Sequence, residues 1–161
     1  MIPSDHFVRF YNEVFKFLDK QSGDGLSKYW LAVSKLQENF CLENFQKDGL
    51  RGMYDYWNHI RIEENCDMTL KLNEDFLELI MHKCPSLSKV QDNDAEPCAK
   101  YCEHCVGWIG PIISKCNYYM VCDIHGRNVP TCHSWIFFEK IKAEQKRAEL
   151  NNSDNTIFSN F

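Results

Sequence analysis

No stretch of this sequence approaches the roughly 18 consecutive apolar residues that a membrane-spanning helix needs. The opening Met1-Ile-Pro-Ser-Asp-His-Phe-Val-Arg-Phe10 puts polar and charged side chains where a secretory leader needs an apolar core. A membrane span is therefore excluded and a cytoplasmic address is expected. Basic charge is also in short supply: 18 Lys and Arg stand against 23 Asp and Glu, for a net charge of −5. Nucleic acid is not expected as a partner, because phosphate recognition needs a concentrated basic face. The single basic run, residues 140–147, is interrupted by Glu144 and reads as a solvated helix face. There is no Gly-rich phosphate loop, no G-x-S-x-G elbow and no internal repeat.

What the chain does have is cysteine, nine in 161 residues. A reducing compartment disfavours a disulfide framework, and an odd count leaves at least one thiol unpaired in any case. Cys41, Cys66, Cys116 and Cys122 are scattered and read as small buried hydrophobes. Three others are clustered in Cys98-Ala-Lys-Tyr-Cys-Glu-His-Cys105, with C-x3-C-x2-C spacing. Radical-SAM enzymes hold their cluster at this spacing, but that chemistry needs a large parallel barrel built after the motif, and only residues 106–161 remain.

The surrounding pattern gives the fold class. Helices are expected over about 5–20, with Ser4-Asp5 as a cap and Phe7, Phe10, Tyr11, Val14, Phe15 and Leu18 as a stripe, then over 26–46 and 48–64. Residues 68–72 and 76–83 alternate around the turn Asn73-Glu-Asp75, and 118–124 and 131–138 make a second hairpin. Residues 91–97 read as a polar loop, and a helix kinked near Pro111 is expected over about 99–115. The sum is an α+β domain in which a small antiparallel sheet, about four-stranded and made of two hairpins, packs with four or five helices. One domain is expected over 1–140, with a helical part at 5–64 and a cysteine-rich part at 67–138. Residues 141–161 read as a charged helical stub and a disordered tail.

If residues 98–105 open a helix, Cys98, Cys102 and Cys105 share one face, and the helix N-terminus favours thiolate there. Cys84, Cys132, His104 and His133 are candidates for a further ligand. Cys84 ends a strand just before the loop leading to the cluster. Cys132 and His133 can take part only if their strand neighbours that one. Such a set suits structural zinc, and a cysteine-only set suits an iron–sulfur cluster equally. Alternatively, Cys84 or Cys102 acts as a nucleophile with His82 or His104 as its base, or the thiols are simply packed in a core. Asp55, His59, Glu63 and Glu64 lie along one side of the third helix and read either as ion pairs or as a site that polarises water.

The run Gly49-Leu-Arg-Gly-Met-Tyr-Asp-Tyr-Trp57, then Glu63-Glu64, Cys84-Pro-Ser-Leu87, Tyr101-Cys-Glu-His-Cys105 and a last strand with Cys132 resembles a group of uncharacterised bacterial and archaeal cytosolic proteins over about residues 7–138. More distantly, the layout is similar to L-2-amino-thiazoline-4-carboxylate hydrolase-like proteins and to small-ligand-binding domains of the vinyl-reductase type. The resemblance implies an α+β domain that binds a small-molecule ligand in a pocket beside a site of Cys84, Cys102, Cys105 and His104. It does not include Cys98, and it carries no activity across. The expectation is a zinc domain with ligands among Cys84, Cys102, Cys105, Cys132 and His104. A cysteine-dependent hydrolase of a small cyclic or amide substrate and an interaction module with buried thiols are its rivals.

Overall fold

The computed structural model describes residues 3–21, 23–92, 95–151 and 155–161, with side chains from residue 6 onward. Ser4 and Asp5, the expected cap, lie inside the first helix, which already includes Pro3, and parts of the loops at 21–25, 91–97 and 151–156 lie outside the described residues. Helix α1 spans Pro3–Asp19 and α2 spans Gly25–Glu63. Alternation then sets in: β1 is Asp67–Leu72 and β2 is Phe76–Lys83. Helices α3 (Pro85–Asp92) and α4 (Glu103–Lys115) follow, then β3 (Tyr119–Ile124), β4 (Cys132–Phe137), α5 (Lys140–Leu150) and β5 (Thr156–Ser159).

Helix α2 is two helices joined at Gly49, where φ is 58° and ψ is −134°. Those angles strain any residue with a Cβ. The two halves fold back on each other. Phe45 meets Tyr56 and Trp57 at ring distances of 5.4 and 5.6 Å, and Gln37 donates to the Tyr56 hydroxyl at 2.7 Å. Gly52 permits the close approach, since a Cβ there would stand 2.4 Å from the Asn44 carbonyl oxygen. The Tyr118 hydroxyl accepts the freed Leu50 N–H just past the break.

The sheet is antiparallel throughout, in the order β1-β2-β4-β3-β5. Both hairpins form as the alternation predicts, and β2–β4 pairing joins them. The inner face buries Leu77, Leu79, Met120, Cys122, Ile124 and Ile136 against Cys41, Phe45, Met53, Ile112 and Ile113 of α2 and α4. On the outer face, Val121, Trp135 and Phe137 pack with Ala143 of α5. A third cluster joins Val8 and Phe15 of α1 to Leu26, Trp30, Leu87, Val90, Cys98 and Tyr101. In α1 the buried stripe is Val8, Asn12 and Phe15, while Phe7 and Phe10 of the expected stripe are exposed.

Three expectations are corrected. The sheet has five strands, because Thr156–Ser159 of the presumed disordered tail pairs with β3. Ile157, Phe158 and Phe161 pack against the domain there and outweigh the polar composition of the segment before them. Helix α3 occupies residues read as a strand end and loop. The cysteine-rich helix starts at Glu103, not at 98–99, because Asn12 holds the preceding segment in turns: its Oδ1 accepts the Cys98 N–H at 2.9 Å and its Nδ2 donates to the Glu96 carbonyl at 3.1 Å.

Asn160 locks the last strand in place. Its Oδ1 accepts the Met120 N–H at 2.7 Å, and its Nδ2 donates to Ser114 Oγ at 2.9 Å and to the Tyr118 carbonyl at 3.2 Å. Asn160→Ala is expected to cost about 2 kcal/mol in urea denaturation, whereas Ser159→Ala stays near wild type. At the helix break, Gly49→Ala sets a Cβ 2.5 Å from the Tyr118 hydroxyl oxygen. The loss should be at least about 2 kcal/mol, partly recovered in a Tyr118→Phe background. Equal losses in the two backgrounds would leave backbone strain as the sole cause.

Candidate functional site

Four cysteines from three segments, Cys84 after β2, Cys102 and Cys105 at the start of α4 and Cys132 at the start of β4, lie near enough for charge on one to raise others. Cys84 directly follows β2 and caps α3: Pro85 takes the first helical position, where its missing N–H costs nothing, and the Leu87 N–H donates to Cys84 Sγ at 3.4 Å. Cys102 is the cap residue of α4, and Cys105 lies in the first turn. Two helix N-termini therefore direct the positive ends of their dipoles at the sulfurs. Cys132 opens β4 opposite Met81 of β2, and the Cys84 N–H donates to the Pro130 carbonyl at 2.6 Å. The strand carrying Cys132 thus does neighbour the strand ending at Cys84.

The thiols are held protonated. Burial, then the charge of Cys105, raises Cys84 to about 11. Burial followed by the charges of Cys105 and Cys84 raises Cys102 to about 12. Cys132 is pushed up further still, by burial and then by Cys105, Cys122, Cys84 and Cys102. Cys105 is exposed as a residue, yet the protein packed around its sulfur raises it to about 11; the exposure is what decides its access to reagents. A charge on Cys105 is felt by all the others. Among the described residues, no three His, Cys, Asp or Glu side chains are gathered closely enough to hold a metal ion as they stand.

His104 is buried, and its Nδ1 hydrogen-bonds the Tyr101 carbonyl. A carbonyl can only accept, so Nδ1 carries the proton and Nε2 presents a lone pair. That lone pair faces Cys105 Sγ at 3.5 Å. The rings of Phe15, Tyr101 and Trp108 surround the imidazole at 5.5, 5.1 and 4.5 Å, and desolvation lowers its pKa to about 4. It is a neutral acceptor at pH 7.

The other candidates are placed elsewhere. His82 is exposed, with its Nε2 at 2.8 Å from Thr69 Oγ1, and it does not contribute to the Cys84 shift. Cys98 is buried in the α1–α3 cluster and feels Asp19, Lys100 and Glu103, not the other thiols. His133 Nε2 bonds Glu78 at 2.9 Å. Asp55 pairs with Arg51 and His59 with Glu63, all exposed. Cys122, read as a scattered core thiol, lies at the margin of the group, raised to about 12 by burial and then held against Ser134 Oγ at 3.0 Å. The register of the second hairpin was the available signal, since Cys122 and Cys132 share a sheet face. Tyr101 was also missed as a brace: its hydroxyl lies 2.6 Å from Ser86 Oγ and ties α3 to the approach to α4.

A groove of about 650 Å³ runs between the halves of α2 past Phe40, Tyr56 and His59, away from the thiols. A smaller one of about 270 Å³ adjoins the start of α3 and is lined by Phe7, Val8, Tyr11, Glu64, Pro85 and Ser86.

No family model, curated protein or solved structure matches the chain. The resemblance drawn from Cys84-Pro-Ser-Leu87 and Tyr101-Cys-Glu-His-Cys105 rests on those motifs alone.

The His104 environment has a measurable consequence in metal-free protein. Its folded pKa, about 4, lies below its ordinary value of 6.5. Between those values the unfolded chain binds more protons, so stability rises with pH across that window and falls on acidification. The difference amounts to about 3 kcal/mol. His104→Gln should flatten this part of the stability–pH curve; an unchanged slope would show that other groups set it.

Proposed function

We propose that the chain is a metal-binding domain in which one zinc ion is held by Cys84, Cys102, Cys105 and Cys132. The observation that carries this reading is the approach of four thiols, from the end of β2, the start of α4 and the start of β4, close enough that charge on one raises the others. Without a cation each further thiolate is penalised by burial and by its neighbours. A divalent ion inverts that balance, because its charge favours deprotonation of every ligand. Both helix N-termini and the Leu87 N–H bond to Cys84 stabilise sulfur as thiolate, as hydrogen bonds to metal-bound sulfur do elsewhere. The sulfurs are not gathered closely enough as they stand, so side-chain rotation must bring them onto the ion. His104, whose Nε2 faces Cys105 Sγ at 3.5 Å, is the alternative fourth donor.

Zinc is preferred to a [4Fe–4S] cluster because no second cluster motif is present. The ion ties the end of β2 to the start of α4 and to β4, so its role is to hold the cysteine-rich half together. The groove beside α3 lies just below the usual size range of ligand pockets, about 300–1,000 Å³, and would admit a small molecule. A reducing cytoplasm would keep the thiols available as ligands.

One observation favours a second reading, a thiol active site: Cys105 is exposed, lies in the first turn of a helix and faces an imidazole acceptor. Against it, a thiol at about 11 is ionised in only about one molecule in ten thousand at pH 7. Elemental analysis of freshly purified protein should find about one zinc per chain. Cys84→Ser and Cys132→Ser should each weaken zinc binding by at least about tenfold and lower Tm. Metal-free protein of unchanged Tm, with one fast-alkylating thiol at Cys105, would support the active-site reading instead.

A further inference from the structure

The outer face of the sheet, beyond the cover of α5, carries a second group of donors. Asp123 and His133 are directly opposite each other across β3 and β4, so their side chains leave the same face. That face is opposite the one from which Cys132 joins the inner core. His125 follows two residues after Asp123 and stays on its side, where its Nδ1 meets Thr131 Oγ1 at 2.6 Å.

Asp123 is the anomaly. It is 7% exposed, and its Oδ1 is buried without a hydrogen-bond partner among the described residues. A buried carboxylate oxygen left unpaired is costly and rare in folded proteins. Its other oxygen, Oδ2, lies 3.7 Å from His125 Nε2. That gap is too long for a hydrogen bond. It is close to the separation, about 3.4 Å, of two donors on a tetrahedral ion with bonds of about 2.0–2.2 Å.

Both imidazoles are already oriented. Thr131 engages Nδ1 of His125, which leaves Nε2 toward the carboxylate. Glu78 Oε1 engages Nε2 of His133 at 2.9 Å, so Nδ1 is the nitrogen that remains to act as a donor, and the ring is stacked on Trp135 at 3.8 Å. Metal-bound histidines characteristically have their second nitrogen fixed by a carboxylate or other polar group.

We propose that Asp123, His125 and His133 form a second metal site, which takes a divalent transition ion such as Zn2+ or Co2+ through carboxylate oxygen and imidazole nitrogen. The donors are presented on one face but not yet gathered at a point. The ion draws the Asp123 carboxylate and His125 Nε2 onto itself, satisfies the orphaned oxygen, and recruits His133 by side-chain rotation. Water completes the coordination, so the site is open to exchange, unlike a closed four-cysteine site.

Titration of the full-length, metal-free chain with Co2+ separates the two sites. Cobalt bound by thiolate shows an intense sulfur-to-metal charge-transfer absorption, which cobalt bound by nitrogen and oxygen lacks. The expected result is a second equivalent of Co2+ without that absorption, together with a rise in Tm. In Asp123→Asn and in His125→Gln this equivalent should weaken by at least about tenfold, while any charge-transfer absorption persists. Metal-free Asp123→Asn should melt no lower than wild type, because an unpaired buried charge has been removed; that control separates lost binding from lost folding. Wild type that takes up no cobalt outside the charge-transfer band, or variants that titrate as wild type does, would overturn the proposal. Failure of the cysteine site alone would instead remove the charge-transfer band and leave the second equivalent in place.

Discussion

The pairing of β2 with β4 is the constraint on which the rest of the molecule depends. Each hairpin is a local structure that its own alternation can specify. Neither brings Cys84 near Cys132 until Met81 is set opposite Cys132 and the Cys84 N–H reaches the Pro130 carbonyl. That ladder also closes the inner face over which α2 and α4 lie, with Leu77, Ile136 and Met120 in one continuous core. A one-residue slip of β4 would turn Cys132 to the outer face and His133 to the inner one. Both candidate sites therefore depend on one register.

The second determinant is desolvation. Every thiol in the converging group is pushed up by burial, and Cys105, the one with an exposed residue surface, raises the rest if it ionises. Such a group has two stable conditions, neutral thiols without an ion or several thiolates around one. The two helix N-termini favour the second. His104 belongs to this balance: its ring is buried among aromatics as a neutral base, with its proton on the nitrogen that meets Tyr101 and its lone pair toward Cys105. The opposite face of the sheet carries the reverse imbalance, a carboxylate oxygen at Asp123 with no donor to meet it among the described residues.

Much of the fold was legible. The two hairpins follow from period-two alternation, and the helices over 26–46 and 48–64 were separable because Lys47-Asp-Gly49 interrupts the stripe where the backbone breaks. The class, α+β with an antiparallel sheet, follows from those elements. The exclusion of Cys98 from the thiol group was readable only through the motif resemblance; spacing alone placed it on the same helical face, and the contacts of Asn12 with Cys98 and Glu96 undo that helix. Helix α3 was hidden because Cys84-Pro-Ser-Leu reads as a strand end until a cap is recognised. The last strand was hidden by its short length and the polar run before it; Asn160, which anchors it, offers no local signal because its partners are 40 to 50 residues distant. The ligand candidates Cys84, Cys102, Cys105 and Cys132 could be chosen by residue type, but their meeting rests on long-range pairing.

X-ray absorption at the zinc edge on full-length Asp123→Asn protein loaded with one equivalent of zinc, so that the second site does not contribute, tests the central claim most directly. A bound ion in the proposed site should show a first shell dominated by sulfur at about 2.3 Å, with at most one nitrogen if His104 replaces a thiolate. A shell made only of nitrogen and oxygen at about 2.0–2.2 Å, or protein that retains no zinc, would contradict the account.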